Sequence, residues 1–395
     1  MPSVTDLGLA KLFDEVRCDI LTKNQEADNA LKLEEISRAF ISDTLTVPTK
    51  EMNEYGLRAS LGDDVYFDES TVAFEAHIAK IAGKEAGLFL PSGTMSNQVA
   101  LRTHLQQPPH SVITDARAHI YRMEAGGAAF HSQANSIPIF PENGHHLTWE
   151  DIEPRIVSGT DVHVAPTRII ALENTLNGTI IPQEDVSEIS KNARARNIIM
   201  HLDGARIWHV AIETRMSMKR FVTRLTLLAC APIGTCLVGP KAFITKARWF
   251  RKLFGGGMRQ TGYLVGCAAY ALTHNFPLLP RVHALTRRMQ RGLEDIGVGI
   301  LSPAETCILF YDPSPIGVEY WEIVERAAAL EKPINLNGSR IVMHIQSSPQ
   351  AVEDFLDLVR TLKEEKAKAG WTPDQAPRKK QNTFRDVYVK AVRPN

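Results

Sequence analysis

The chain has 395 residues, of which 44% are hydrophobic and 23% are charged. This composition is ordinary for a folded protein, and it disfavours long disordered, collagen-like or coiled-coil stretches. The 45 basic residues balance the 45 acidic residues, so no net charge attracts the chain to nucleic acid or to a membrane surface. The length predicts one large domain together with a smaller one.

The cysteines and the chain start bear on metal binding and location. The five cysteines form no CxxC pair, so neither a disulfide scaffold nor a structural zinc site is expected. The N-terminus lacks a basic region followed by an apolar core. The most apolar stretch, residues 263–272, is too short to span a bilayer. We therefore expect a cytoplasmic protein without a metal site.

The first elements are helical. Residues 1–38 are predicted to be a polar extension with some helical periodicity. The shared apolar face of this extension would contain Leu9, Leu12, Phe13 and Val16.

A well-defined helix is predicted further along the chain, where Phe74, Ile78 and Ile81 share one face, with Gly83 at its left-handed cap.

Four apolar runs bounded by turns then predict strands, at residues 86–90, 111–114, 168–172 and 197–202. Continuous apolar strands are buried on both faces, which favours a mostly parallel sheet flanked by helices. The fold class is therefore α/β.

Past residue 290 the pattern changes to shorter strands, such as residues 341–345, and to a helix that begins at Ser348-Pro349. The predicted organisation is an N-terminal extension, a large domain, a small α+β domain and a surface tail, over residues 1–38, 39–290, 291–362 and 363–395.

A possible anion site follows the first predicted strand. Ser92, Gly93 and Thr94 lie between that strand and a helix predicted over residues 97–104. Backbone N–H groups and the helix dipole at such a position suit a phosphate. An ordinary strand-to-helix turn explains the same residues, and by themselves they favour it.

Asp203 ends a long apolar run, at the edge of the sheet where ligands of α/β folds bind. Its carboxylate could cap the next helix or pair with Arg206. It could equally hold a proton on a ring nitrogen, as pyridoxal phosphate requires. The residues alone leave both interpretations open.

Two further segments contain candidate ligand groups. His119 and Glu124 follow another predicted strand, so the imidazole could stack on a cofactor ring or belong to a polar loop. Arg259 follows three glycines, in a loop that could bring it to a phosphate or serve as a hinge.

Taken together, these segments resemble the low-specificity threonine aldolases, and the fungal members most. The likeness covers roughly residues 40–360. The matching segments are residues 42–44, 48–49, 62–66, 83–89, 92–94, 118–119, 124–125, 172–175, 201–206, 231–234 and 255–260. The resemblance implies the pyridoxal-phosphate-dependent transferase type I fold, pyridoxal 5'-phosphate as cofactor, a small amino-acid substrate and a homo-oligomer, either dimer or tetramer.

The resemblance also assigns the cofactor-binding residues. It implies that the phosphate is held at the turn after the first strand, by Ser92, Gly93 and Thr94. It places Glu124 and Arg206 beside the cofactor and lets Arg259 reach a phosphate, in this subunit or a neighbouring one. The catalytic residues would be His119, stacked on the ring, and Asp203, paired with the ring nitrogen.

The implied substrate-binding residues are Ser42, Asn174 and Arg340. The planar guanidinium of Arg340 suits the α-carboxylate of an amino acid, because it can form two parallel hydrogen bonds. The implied reaction is the cleavage of a β-hydroxy amino acid, such as L-threonine or L-allo-threonine, into glycine and an aldehyde.

Two departures from the family pattern keep alternatives open. Where the family has the lysine that forms a Schiff base with the cofactor, this chain has Leu227, after a shortened segment. Where members often carry a histidine near the substrate hydroxyl, it has Leu176 and Asn177. The alternatives are an amino-acid racemase, acting on alanine, and a catalytically impaired pseudoenzyme.

Overall fold

The computed structural model describes residues 25–107, 109–221, 225–228 and 231–372, together with Arg17 and Asp374. For residues 25–27 and 225–228 it describes the backbone alone. The predicted apolar face of Leu9, Leu12, Phe13 and Val16 lies outside these residues, as do residues 222–224.

A seven-stranded sheet forms the centre of the predicted large domain. Its strands are β1 (Ala86–Leu90), β2 (His110–Asp115), β3 (Ala134–Ile139), β4 (Thr167–Glu173), β5 (Ile199–Gly204), β6 (Leu225–Leu228) and β7 (Thr235–Gly239). The order across the sheet is β1-β7-β6-β5-β4-β2-β3. Only β7 runs against its neighbours. The four predicted strands and the mostly parallel α/β sheet are therefore confirmed.

The described helices flank this sheet and continue into the small domain. In chain order they are α1 (Gln25–Ser37), α2 (Lys50–Leu57), α3 (Glu69–Ala82), α4 (Gly93–His104), α5 (His119–Arg122), α6 (Gly127–Ser132), α7 (Trp149–Ile152), α8 (Gln183–Ala195), α9 (Ile207–Thr214), α10 (Met218–Phe221), α11 (Lys241–Leu253), α12 (Gly262–Tyr270), α13 (Leu279–Ile296), α14 (Tyr320–Ala328) and α15 (Pro349–Lys368).

The predicted helix ends follow from local caps. α3 ends at Gly83, whose φ of 65° is left-handed, as the sequence predicts. The helix predicted over residues 97–104 begins earlier, at Gly93, because the Ser92 side chain accepts a hydrogen bond from the backbone N–H of Met95. That cap puts the start of α4 directly at the end of β1.

The small domain is built on a three-stranded antiparallel sheet. Its strands are β8 (Gly299–Ser302), β9 (Ile308–Asp312) and β10 (Arg340–Val342), with β9 in the middle. The strand predicted over residues 341–345 is wrong at its end. His344 donates its backbone N–H to the Ser347 hydroxyl, and the resulting turn leads into α15.

Helices run across two of the predicted domain boundaries, and a buried side chain lies close to the third. α13 crosses residue 290, and its Met289 and Leu293 belong to the core of the small domain. α15 runs past residue 362 to Lys368. Phe40 is fully buried in the same core, with its ring 6.2 Å from that of Phe355.

Within the described residues, no helix has both the length and the apolar character that crossing a bilayer requires.

Candidate active site

A cavity of about 410 Å³ lies beyond the carboxyl ends of the parallel strands. Such an edge is where open α/β sheets bind ligands. The cavity is lined by Asp43, Thr44, Thr46, Pro91, Ser92, Gly93, Thr94, His119, Glu173, Asp203, Ala205, Arg206, Trp208, His209, Ala231, Pro232, Ile233, Gly234, Ala271, Leu272, Asn275, Phe276 and Leu279. Six predicted site residues therefore meet there, namely Ser92, Gly93, Thr94, His119, Asp203 and Arg206.

One end of the cavity is the N-terminus of α4. Gly93 and Thr94 form its first turn, and the Ser92 hydroxyl caps the helix at 3.1 Å from the Met95 nitrogen. The loop that contains Gly234 closes this end from the other side. A Cβ on Gly234 would lie 2.3 Å from the Phe89 ring, so only glycine allows the approach. The first N–H groups of a helix have no partner within the helix, so the start of α4 makes this end suitable for an anion.

Asp203 is held by two donors and is 4% exposed. Its Oδ2 accepts from Asn97 Nδ2 at 2.7 Å, and its Oδ1 accepts from the backbone N–H of Ala205 at 3.0 Å. The suggested pairing with Arg206 is wrong, because Arg206 binds Asp43 instead. The suggested helix cap is wrong too, since no side chain caps α9. The carboxylate thus lines the cavity, and no side chain in the described part of the chain forms an ion pair with it.

His119 and Glu124 form a pair beside Asp203. His119 Nδ1 lies 2.8 Å from Glu124 Oε1, and the same oxygen accepts from Asn97 Nδ2 at 2.8 Å. The hydrogen bond between His119 and Glu124 raises the pKa of His119. Glu124 is buried and lies behind the imidazole, outside the cavity lining. Asn97 therefore links the carboxylates of Glu124 and Asp203. Sequence reasoning missed it, because it lies inside a helix without a motif that would single it out.

Arg206 forms a bidentate ion pair with Asp43, whose oxygens lie 2.7 Å from Nε and from Nη2. Burial opposes ionisation of Asp43, but the guanidinium outweighs it and lowers the pKa of this carboxyl well below its usual range. The positive charge of Arg340 acts in the same direction. Sequence reasoning missed Asp43. Its position next to Ser42, in a segment already singled out, was the available signal.

Glu173 is a second missed residue of the cavity. It is the last residue of β4, where it pairs in register with Asp203 on β5. Its Oε2 accepts from the backbone N–H of His119 at 2.7 Å. Burial, together with the negative charge of Asp203, raises the pKa of Glu173 to about 8. A charged residue at the end of an apolar run was the signal that could have revealed it.

The predicted substrate residues lie around the cavity rather than on its lining. Ser42 caps the short turn that contains Asp43, and its hydroxyl accepts from the Thr44 backbone N–H at 3.2 Å. Arg340 donates from Nη1 to the Ile41 carbonyl at 3.3 Å. Asn174 is buried, and its backbone N–H donates to the Asp203 carbonyl at 2.9 Å.

Arg259 is the predicted site residue that lies apart from the others. It is exposed in the loop after α11 and is not among the residues that line the cavity. Within the described residues, this cavity therefore does not provide the predicted contact between Arg259 and a phosphate.

The donor set fits most of pyridoxal phosphate. The start of α4 suits its phosphate, the imidazole of His119 suits a flat ring, and the oriented carboxylate of Asp203 suits a protonated ring nitrogen. An amine for covalent attachment is the part that does not fit. No lysine lies among the described lining residues, and the sequence has none between Lys219 and Lys241.

Comparisons with known proteins agree with this geometry. The beta-eliminating lyase family matches residues 39–314. The low-specificity L-threonine aldolase of Candida albicans is 40% identical over 326 residues, which are 80% of this chain and 87% of the relative.

Two solved structures share the fold. The threonine aldolase of Leishmania major superposes with a TM-score of 0.68 at 18% identity, over 82% of this chain and 99% of that one. An aromatic aminotransferase from Pyrococcus horikoshii gives a TM-score of 0.59 at 12% identity, over 82% and 94% of the two chains. The fold is thus the type I fold of pyridoxal-phosphate-dependent transferases, and by its sequence the chain belongs to the threonine aldolase family of beta-eliminating lyases.

Proposed function

We propose that the cavity binds pyridoxal phosphate with a β-hydroxy amino acid of the L-threonine type, and that it splits this substrate into glycine and an aldehyde. The observation that carries the proposal is the oriented carboxylate of Asp203, which lies in one cavity with His119 and with the start of α4. The naming of a 40% identical relative as a threonine aldolase supports the choice of reaction.

The cofactor, when bound, supplies an electron sink for the bond that breaks at the amino-acid Cα. The chain's own residues would hold it in place. Asp203 would keep a proton on the ring nitrogen, with its oxygens oriented by Asn97 and by the Ala205 backbone. The N–H groups of Gly93 and Thr94 would bind the phosphate, assisted by the α4 dipole.

The substrate would be bound near Asp43. We infer that the α-carboxylate is held by Arg340, whose charge already acts on Asp43 and whose fork suits a carboxylate. Ser42 would contact the substrate from the same turn. Asn174 would act through Asp203 as a positioning residue, since it is buried behind the end of β5.

We further infer that Leu227 occupies the position of the family's cofactor-binding lysine. It lies four residues before the Ala231–Gly234 segment that lines the cavity. In the sheet it pairs with Gly204, the residue after Asp203. The chain would then hold the cofactor without a covalent bond, and turnover would be slow, because a positioned amine on the enzyme is lost.

We also propose a homo-oligomer. Large apolar side chains are exposed around residues 57–67 and on α11, namely Leu57, Leu61, Tyr66, Phe67, Trp249 and Leu253. Exposed apolar surface of this extent is typical of an interface. Arg259 follows α11 closely, so in an assembly it could reach the phosphate of a neighbouring cavity. Sedimentation velocity would test this, and a monomer at micromolar concentration would contradict it.

A cytoplasmic location remains a proposal as well. It is supported by Cys236, Cys267 and Cys307, none of which forms a disulfide.

The reaction can be tested directly. Purified chain is incubated with pyridoxal phosphate and L-threonine or L-allo-threonine, and acetaldehyde and glycine are measured, with Asp203→Ala as the control. We expect slow, cofactor-dependent acetaldehyde formation that the variant lacks. D-alanine from L-alanine, without acetaldehyde, would favour the racemase instead. Cofactor binding without either product would contradict both and indicate a pseudoenzyme.

A further inference from the structure

Glu173 is a carboxyl group of the cavity to which the proposed function gives no role. It ends β4, and its partner in the register of the neighbouring strand is Asp203. Side chains paired across parallel strands emerge on the same side of a sheet, and both residues line the cavity. Two carboxyl groups therefore face one enclosed space.

The two carboxyl groups differ in the donors around them. Asp203 accepts from Asn97 Nδ2 and from the Ala205 N–H. Glu173 accepts from one described donor, the backbone N–H of His119, and only on Oε2. Hydrogen bonds to a carboxylate favour its charged form, while a nearby like charge disfavours it. The donors in the site therefore favour a charged carboxylate at Asp203 over one at Glu173.

The cations near Glu173 are already paired. Arg206 is bound by Asp43 through two hydrogen bonds, and the imidazole of His119 is bound by Glu124. His119, Arg206 and Asp203 are the groups whose charges act on Glu173, and Asp43 and His209 are further titratable residues of the same cavity lining. Neither cation is available to Glu173 alone, in agreement with its raised pKa.

We propose that Glu173 is an acid–base residue of this site. It holds a proton while no cation is bound against Asp203, and it releases that proton when a protonated pyridine ring binds there. The inference rests on the proposed function, since that ring would be the cofactor's. The proton passes from the carboxyl oxygen to solvent, and the carboxylate that remains can accept one from the substrate.

The proposed reaction needs such a group. A proton must leave the β-hydroxyl as the carbonyl forms, and one must return to Cα as glycine forms. Glu173 can take the first and return the second, so that no proton is gained or lost overall. Leu176 and Asn177 lie outside the cavity lining, and neither side chain can take up a proton as a carboxylate or an imidazole does.

The first test uses the protein without cofactor. Carboxyl groups are followed by carbon NMR on chain labelled at the glutamate side-chain carboxyl between pH 5 and pH 10. We expect one glutamate signal that titrates near pH 8, is missing in Glu173→Gln, and moves toward ordinary acidic values in Asp203→Asn. Glu305→Gln, in the small domain, is the matched control and should keep the signal.

A signal near pH 8 that survives in Glu173→Gln would overturn the proposal, as would its absence in the unmodified chain. If Glu173→Gln fails to fold, the Asp203→Asn variant decides alone. A glutamate signal that still titrates near pH 8 in that variant would show that the charge of Asp203 does not raise the pKa of Glu173.

The second test counts protons when pyridoxal phosphate binds, by calorimetry at pH 7 in two buffers of different ionisation enthalpy. The unmodified chain should release close to one more proton than Glu173→Gln. Equal counts with intact binding would overturn the role of Glu173 and leave the proposed function standing. No binding in either protein would contradict the proposed function, and the cofactor-free titration would still decide on Glu173.

Discussion

His209 Nδ1 lies 2.9 Å from His283 Nε2, and His283 Nδ1 lies 2.8 Å from Glu213 Oε2. A carboxylate only accepts hydrogen bonds, so His283 must carry its proton on Nδ1. Its Nε2 then accepts from Nδ1 of His209. His209 lines the cavity and Glu213 is partly exposed, so this chain of two neutral imidazoles connects the cavity wall with the surface.

This pair should make the protein sensitive to acid. Burial lowers the pKa of His209 to about 3 and also lowers the pKa of His283. In the unfolded chain, a histidine has a pKa of about 6.5. The unfolded chain therefore binds more protons below about pH 6.5. Stability is fully present above that pH and is lost as the pH falls toward 3.

The measurement is the free energy of unfolding in urea at pH 7, 6 and 5. His209→Gln should flatten its decline, because one of the depressed groups is gone. His163→Gln, at an exposed side chain, serves as the control and should keep the original slope. An unchanged slope in His209→Gln would show that the pair does not titrate as described.

Asp203→Ala should abolish the cofactor-dependent reaction while leaving the fold largely intact. The side chain faces the cavity, so water can replace it as acceptor for Asn97 and the Ala205 N–H. We expect pyridoxal phosphate to bind at least about tenfold more weakly, a loss of roughly 1.4 kcal/mol, as measured by cofactor absorbance or fluorescence. Asp161→Ala, on an exposed loop, is the control. Unchanged binding and turnover would remove Asp203 from the mechanism.

The sequence predicts the parts of this site that are set locally. An apolar run determines where β5 ends, so Asp203 could be placed at the ligand edge, and Ser92 could be placed between a strand and a helix. Contacts across the chain could not be predicted. Arg206 meets Asp43 over a separation of 163 residues, and His209 meets His283 over 74. Such partners are determined by how distant segments pack together, and a single sequence does not reveal that packing.

Arg340→Lys should weaken binding of the amino-acid substrate, because an ammonium cannot form two parallel hydrogen bonds to a carboxylate. We expect an increase in the apparent dissociation constant on the order of tenfold, measured by titrating glycine into the cofactor-loaded chain. Arg288→Lys changes an exposed ion pair with Glu353 and should leave the constant unchanged. If both variants bind alike, Arg340 does not hold the carboxylate.

Gly262→Ala should destabilise the large domain. Gly262 begins α12, and a Cβ there would lie 1.9 Å from the Ser60 carbonyl oxygen. Backbone must move to admit it, at a cost of roughly 1–3 kcal/mol. Gly299→Ala is the control, because its Cβ would meet only ordinary contacts, the nearest at 3.5 Å. The comparison is made by urea unfolding, and equal stabilities would contradict the close approach.

We expect the chain to hold pyridoxal phosphate weakly and without a covalent bond, because no lysine is among the described residues that line the cavity. Lys219 packs toward Gly83, and Lys241, Lys246 and Lys252 belong to α11. None of the four lines the cavity. Borohydride reduction followed by peptide mass measurement should therefore yield no stoichiometric pyridoxyl-lysine. A single modified lysine at full occupancy would show that another residue has taken this role, and it would remove the support for a pseudoenzyme.

Replacing the residue itself gives the complementary result. Leu227→Lys should restore little covalent attachment, because the position of an amine depends on where the end of its strand places it. β6 spans only Leu225–Leu228, and three residues of the sequence separate it from the end of α10 at Phe221. Leu225→Lys, on the same strand, is the matched control for an added amine. If Leu227→Lys alone gave full pyridoxyl-lysine and rapid acetaldehyde formation, this strand would already place an amine correctly, and the identity of residue 227 would by itself determine how the cofactor is held.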